Sequence, residues 1–325
     1  MKSLMENLMT SHASSAIRTL WHTDRPLTAV GLLMLVALAA SAFGIWLDAR
    51  TIGGMPAWLK PAKFAASFVI YSITLAWLFR YLGPWQRTRR MVSWITSVVL
   101  VLEFAIIAIQ AGRGTASHFN VSTPLDTALF ATMGAAIFVQ TAISITVAVA
   151  LWRERFADPA LGWALRVGMT LTIIGASTGW LMVTPTNAQL ADARAGAGMP
   201  VSGAHTVGGP DGGAGVHGTG WSAEHGDLRV PHFVGLHGIQ VLGLFAVFAG
   251  TRISAPRRRA RVVIVAAVSY AALFAILLWQ ALRGQSILQP DTVMLAVLAG
   301  WLVATAAAVY AATRSTALPR PALVY

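Results

Sequence analysis

Eight apolar stretches, at about 27–47, 63–83, 91–112, 127–151, 161–184, 231–250, 261–283 and 292–313, set the terms on which this chain folds. Each approaches the ~20 residues that a helix needs to cross a hydrocarbon core about 30 Å thick. That core offers no hydrogen-bonding partners, so a spanning segment satisfies its backbone internally, as a helix or within a closed barrel. Unbroken apolar runs of this length read as helices. The expected fold is an all-α polytopic membrane protein with eight transmembrane helices. Its 325 residues are 56% hydrophobic and only 11% charged, with a mean hydropathy of +0.64, far from the balance of a soluble domain.

Basic residues in short loops resist translocation, so they report orientation. With the N-terminus cytoplasmic, 17 of the 24 Lys and Arg fall on the inner side, including "RTRR" at 87–90 and "PRRRAR" at 256–261. Both termini are therefore expected in the cytoplasm of a bacterium, with the chain multi-pass in its inner membrane. The net charge of +12 reads as topology and as contact with anionic lipid. The bilayer is the expected partner, and nucleic acid is not. Cysteine is absent, which excludes disulfides and thiolate metal sites. "ALAASAFG" mimics a small-residue cleavage site, but its removal would leave seven helices, so the first helix is expected to be retained.

The chain appears twice over in outline. "IQAGRGTASHFNVSTPLDTALF" shares Gln-Ala-x-Arg-Gly, then Pro and Asp-Thr, with "WQALRGQSILQPDTVML". Gln110, Arg113, Gly114 and Asp126 thereby match Gln280, Arg283, Gly284 and Asp291. More weakly, "WLKPAKFAASF" and "LRVPHFVGLH" align Lys60 with Arg229, Lys63 with His232, and Phe68 with His237. Four helices per unit keep both units in one orientation, a parallel repeat. The expected organisation is a cytoplasmic segment 1–26, a first repeat 27–152, a second repeat 161–313 that includes an outer Gly/His-rich loop 185–230, and a cytoplasmic tail 314–325.

Unusual polar groups gather at the outer helix ends. Lys60, Lys63, Arg113, Arg229 and Arg283 are five of the seven outward cations. Two readings stand. They snorkel to the interface, with Arg113 and Arg283 bridging to Asp126 and Asp291; or they converge, with Gln110 and Gln280 beside them, on a small anionic ligand. Glu103 is the one carboxylate well inside an apolar span, which makes it a functional candidate because its burial is expensive. It lies about 10 Å inside Gln110, and His237 about 9 Å inside Pro231, at 1.5 Å per residue. Matching depths allow a Glu103/His237 pair or a shared ion; a neutral Glu103 bonded to a neighbouring helix is the alternative. On a regular helix His232 and His237 sit about 140° apart, so one helix cannot aim both at one metal. His118 in "SHFN", with His205, His217 and His225 in the outer loop, adds imidazoles that could serve Zn²⁺, Cu²⁺ or haem iron. No spacing among them matches a metal motif.

The run "HTVGGPDGGAGVHGTGWSAEHGDLRVPHFVGLHGIQ", with "KPAKF" and "SHFN", resembles a family of bacterial integral membrane proteins to which no activity is attached. In architecture alone the chain is similar to heme A synthase, eight helices in two four-helix units. That family pairs histidines on its even-numbered helices, whereas helices two, four and eight here have none, so its haem sites do not transfer.

Three functions follow as expectations. The first is a haem- or metal-binding, redox-type membrane protein in which His237 with His118 or His232 holds the group. The second is a proton-coupled transporter of a small anionic solute using Glu103 and His237. The third is a metal-dependent membrane hydrolase or transferase.

Overall fold

The computed structural model describes residues 15–314. Lys2 and Arg320, counted above among the inner cations, and the outermost parts of the two terminal segments lie outside them.

The helices are α1 (Arg25–Leu47), α2 (Leu59–Leu78), α3 (Gln86–Gly112), α4 (Pro124–Arg153), α5 (Pro159–Ser177), α6 (Gly179–Val183), α7 (Asn187–Arg194), α8 (Arg229–Leu236), α9 (Gly238–Arg252), α10 (Pro256–Leu282) and α11 (Thr292–Arg314). Among the described residues, seven spans are long and apolar enough to cross a membrane, or eight if α8 and α9, bent by 44° at their junction, are counted as one span. The protein is a multi-pass helical membrane protein. Local chemistry starts these helices where the apolar runs begin. Asp24, Thr123 and Asp158 each accept a backbone N–H of the first turn of α1, α4 and α5, and a proline follows each cap. A cap satisfies one of the orphan donors of a helix start, and proline there loses no bond.

Two compact units emerge. The first runs to Glu154 and takes in Gly179–His205 and Pro210–Gly220; the second comprises Arg155–Thr178, Thr206–Gly209 and the chain from Trp221 onward. The 185–230 segment, placed in the second repeat by chain order, is thus shared out, mostly to the first unit. It also has structure of its own. Thr186 and Gln189 form a capping box on α7, and strands Thr206–Val207 and Gly226–Asp227 pair antiparallel.

In the first unit α1 packs chiefly on α2, and α3 packs on α1, α2 and α4. Large apolar side chains such as Leu33, Val36, Phe43, Val98 and Phe138 face outward, while Thr28, Ser41, Ser72, Ser93, Thr96, Gln110 and Ser144 are buried. That distribution suits a lipid solvent, which is as apolar as leucine and leaves small and polar groups to make the helix contacts.

In the second unit α5 is the hub for α8, α9 and α10. Its glycines allow the approach. A Cβ on Gly175 would lie 2.5 Å from the backbone of Gly235, and one on Gly168 would lie 2.7 Å from Ile239. The small surfaces expected of Gly235 and Gly238 are therefore used by a helix. The regular helix expected from Pro231 through His237 does not form. It breaks at His237, and Thr172 of α5 bridges the break, with its hydroxyl donating to the Leu236 carbonyl (3.2 Å) and accepting from the Ile239 N–H (3.3 Å).

Overpacking a close helix crossing costs about 1–3 kcal/mol or more. Gly175→Val is therefore expected to lower the thermal unfolding midpoint of detergent-purified protein by several degrees. Gly134→Ala, at a helical position where a Cβ meets nothing within 4 Å, should leave it unchanged or raise it.

Candidate functional site

The repeated Gln-Ala-x-Arg-Gly segments end α3 and α10 in the same way. Arg113 and Arg283 N–H groups bond the carbonyls four residues back, Gly114 and Gly284 those three back, and Thr115 and Gln285 those of Gln110 and Gln280. Gly114 and Gly284 hold φ of 73° and 71°, the left-handed conformation that glycine adopts without strain. Gln110 and Gln280 are buried, and each amide donates to a carbonyl six residues on, Ala116 and Ser286 respectively.

The arginines take the local carboxylates. Arg113 Nη1 lies 2.7 Å from Asp126 Oδ1, which Gln110 Nε2 also approaches to 2.8 Å. Arg113 further bonds Gln110 Oε1. Arg283 Nη2 lies 2.6 Å from Asp291 Oδ2 and stacks on Trp279. Arg229 meets Asp227 through both Nε and Nη2, at 2.9 and 2.6 Å. Arg50 pairs likewise with Asp48. Lys63 donates to the Thr219 carbonyl at 2.7 Å. These four outer arginines are thus held in local ion pairs. Charge bookkeeping agrees, because the loops and helix ends holding the seven outward cations also hold seven carboxylates, Asp48, Asp126, Asp192, Asp211, Glu224, Asp227 and Asp291.

The histidines are structural in their contacts. His232 Nδ1 lies 2.8 Å from the Gly175 carbonyl and 3.1 Å from Thr178 Oγ1. A carbonyl only accepts, so Nδ1 carries the hydrogen. His237 packs its ring 4.4 Å from that of Phe233 at the helix break. His118 rests against Phe64 and Phe119, with Nδ1 3.1 Å from Ser117 Oγ. Beside it Phe119 holds φ of 63°, costly for an aromatic residue, and its ring meets that of His205, which bonds Asp211. Among the described residues no group of three or more His, Cys, Asp or Glu could hold a metal ion.

Glu103 is different. It is 1% exposed on α3, and neither carboxyl oxygen has a hydrogen-bond partner among the described residues. Lys60, on the first turn of α2, is the cation whose charge acts on it. The carboxyl lies in the first unit and His237 in the second. Three further buried oxygens of the same unit that the sequence reading passed over, Thr96 Oγ1, Ser97 Oγ and Gln140 Oε1, are equally unbonded. The spacing of Ser93, Thr96, Glu103 and Gln110, three or seven residues apart along one helix, was the available signal.

Comparison with known protein families, with curated proteins and with solved structures finds no match.

Asp291 sits outside the spans, and its carboxyl is pulled from 3.8 to about 2, first by the Arg283 side chain and then by the Met294 N–H. A depressed acid stabilises the fold above its unfolded pKa and loses that contribution as pH falls through the folded value. The wild-type unfolding midpoint is expected to fall between pH 4 and pH 2 more steeply than that of Asp291→Asn, and parallel curves would remove the ion pair from the account.

Proposed function

We propose that this chain is a transporter of the bacterial inner membrane, with both termini cytoplasmic and its helices in two parallel four-helix repeats, in which passage of a small solute is coupled to protonation of Glu103. The observation that carries the reading is a carboxyl group 1% exposed, inside a spanning helix, with no hydrogen bond to either oxygen. An uncompensated buried charge costs several kcal/mol, whereas the neutral acid removes most of that cost. Such a group binds and releases a proton as its surroundings change, the usual role of an intramembrane acid.

The interrupted helix at His237 supports the same reading, because transporters set their binding sites where spanning helices break. The shared caps after Gln110 and Gln280 support the repeat. The paired arginines bear on the solute. An anion bound at Arg113, Arg229 or Arg283 would displace an aspartate, so the reading rests on the proton and not on the charge of the cargo. The haem- or metal-binding reading and the metal-dependent hydrolase or transferase are less well supported. His232 is committed to Gly175, His237 lies against Phe233, and the donor set for a metal is thin.

Purified protein in vesicles containing a pH-sensitive dye tests this against gradients of monocarboxylates, dicarboxylates, phosphate and amino acids. At least one gradient is expected to drive proton movement, and Glu103→Gln is expected to cut that movement at least tenfold while the protein still folds. Full coupled flux in Glu103→Gln would sink the proposal.

A further inference from the structure

The unbonded oxygens of the first unit lie along one line. Thr96, Ser97 and Glu103 share the buried face of α3 with Ser93, over ten residues or about 15 Å of helix. Thr96 and Glu103 are seven residues apart, roughly 10 Å, too far to touch. The gap is occupied from the neighbouring helices. Tyr71 of α2 packs on the cluster that contains Leu100, midway between the two. Gln140 of α4 donates Nε2 to the Tyr71 hydroxyl at 3.1 Å, and Ser144 lies 3.3 Å from that hydroxyl. Gln140 thus stands beside Tyr71, on the helix that packs against α3, with its Oε1 unbonded.

Elsewhere in these helices buried or half-buried hydroxyls satisfy themselves. Ser41, Ser72, Thr141 and Ser144 donate to the carbonyl four residues back, at 2.6 to 2.8 Å. Thr96 and Ser97 make no such bond, although the carbonyl is available to them. At the end of the line Ser93 donates to Asp24 Oδ1 at 2.6 Å, and Asp24 caps α1 at the unit's boundary. Five unbonded oxygens on four side chains, each at least nine-tenths buried, are more than a folded interior leaves without an occupant. A polar space of this kind takes water, which bonds two to four such groups at once.

We propose that the first unit holds a file of water running from Glu103, past Gln140 and Tyr71, to Thr96 and Ser97 and on to Ser93 and Asp24, through which Glu103 exchanges its proton with the aqueous phase at the Asp24 end. The proton leaves the Glu103 carboxyl for the adjoining water. Each water passes one proton to the next, and the last goes to the Asp24 carboxylate or to bulk water. The charged groups along the route favour this occupant over an alkali cation. Lys60 acts on the Glu103 end, and Arg89, whose Nη2 donates to the Thr23 carbonyl, stands one turn from Ser93 at the other. A metal cation is repelled by Lys60 at the Glu103 end, and at the other end Arg89 offsets the Asp24 carboxylate, whereas a proton taken up by the Glu103 carboxylate leaves a neutral acid.

The inference rests on Glu103 as proton carrier, and infrared spectroscopy of the full chain in lipid separates the two claims. A protonated-carboxyl C=O band that vanishes in Glu103→Gln is expected. On transfer to D₂O the wild-type band should shift within seconds, and Thr96→Val/Ser97→Ala should slow that shift at least tenfold while the band remains. A band that is present but exchanges over hours in the wild type overturns the water file and leaves the proton carrier standing. No band, or one that appears only when Na⁺ is withdrawn, overturns both. Should the double variant fail to fold, the absence of cysteine permits single substitutions as a second measurement. Thr96→Cys and Ser97→Cys should be modified by Ag⁺ added at the Asp24 side, and Val98→Cys, on the exposed apolar face, at least tenfold more slowly. Equal rates at the three positions count against the file.

Discussion

Inside a bilayer there is no solvent to take over a broken hydrogen bond, and most of this structure follows from that constraint. The second unit obeys it at its weakest point. Where the chain breaks at His237, Thr172 supplies both a donor and an acceptor to the exposed backbone, and Gly175 brings the two helices close enough for its carbonyl to hold His232. The outer loop ends obey it as well, since Arg113, Arg229 and Arg283 each pair with an aspartate. A rule kept so consistently gives meaning to the places where it fails. In the second unit those places are scattered, at Gln240, Arg259 and Gln285, whereas in the first several of them gather on the buried faces of α3 and α4.

Helix association here rests on the same constraint. Lipid removes the usual reward for burying leucine, so many large apolar side chains lie on the outside, and glycine, alanine, serine and threonine share the helix contacts with a minority of buried Leu, Met, Ile and Phe. Such contacts are short and shape-limited. The Gly175–Gly235 crossing admits no methyl group, whereas the outward face of α11, with Leu302 and Val303 exposed, accepts any apolar residue. Stability is thus concentrated at a few small residues, and the polar interior of the first unit is free to serve another purpose.

The eight spans were legible because hydropathy reads the bilayer directly, and each boundary fell near a cap or a proline that the sequence also carries. The Arg113–Asp126 and Arg283–Asp291 bridges were one of two readings and are the ones that form. Arg229 was read as part of a basic pocket, although Asp227 stands two residues before it in "GDLR". The helix break left no mark, because nothing in "HFVGLHGIQ" forbids a continuous helix; the break depends on Thr172 and Gly175, some sixty residues away. Glu103 stood out as the lone acid in an apolar run. Thr96, Ser97 and Gln140 did not, since serine and threonine in spanning helices normally bond their own backbone, and only the fold shows which of them do not.

The two proposed repeats differ most where Phe68 aligns with His237. In the first unit Phe68 is a buried member of the cluster with Leu100, in an unbroken helix, beside the line of unbonded oxygens. In the second unit the same position ends one helix and begins another, and Thr172 bonds the backbone on either side of it, while Gln240 Oε1 three residues on is unbonded. Each buried group left unsatisfied costs about 1–3 kcal/mol, so a full second line of them beside the break would add to that cost. The continuous helices of the first unit suit a fixed path for protons, which need a line of partners and no movement of the backbone. The hinge of the second suits a change of shape, which needs a helix already broken and re-bonded by side chains that can let go. Coupling between a proton and a solute requires both.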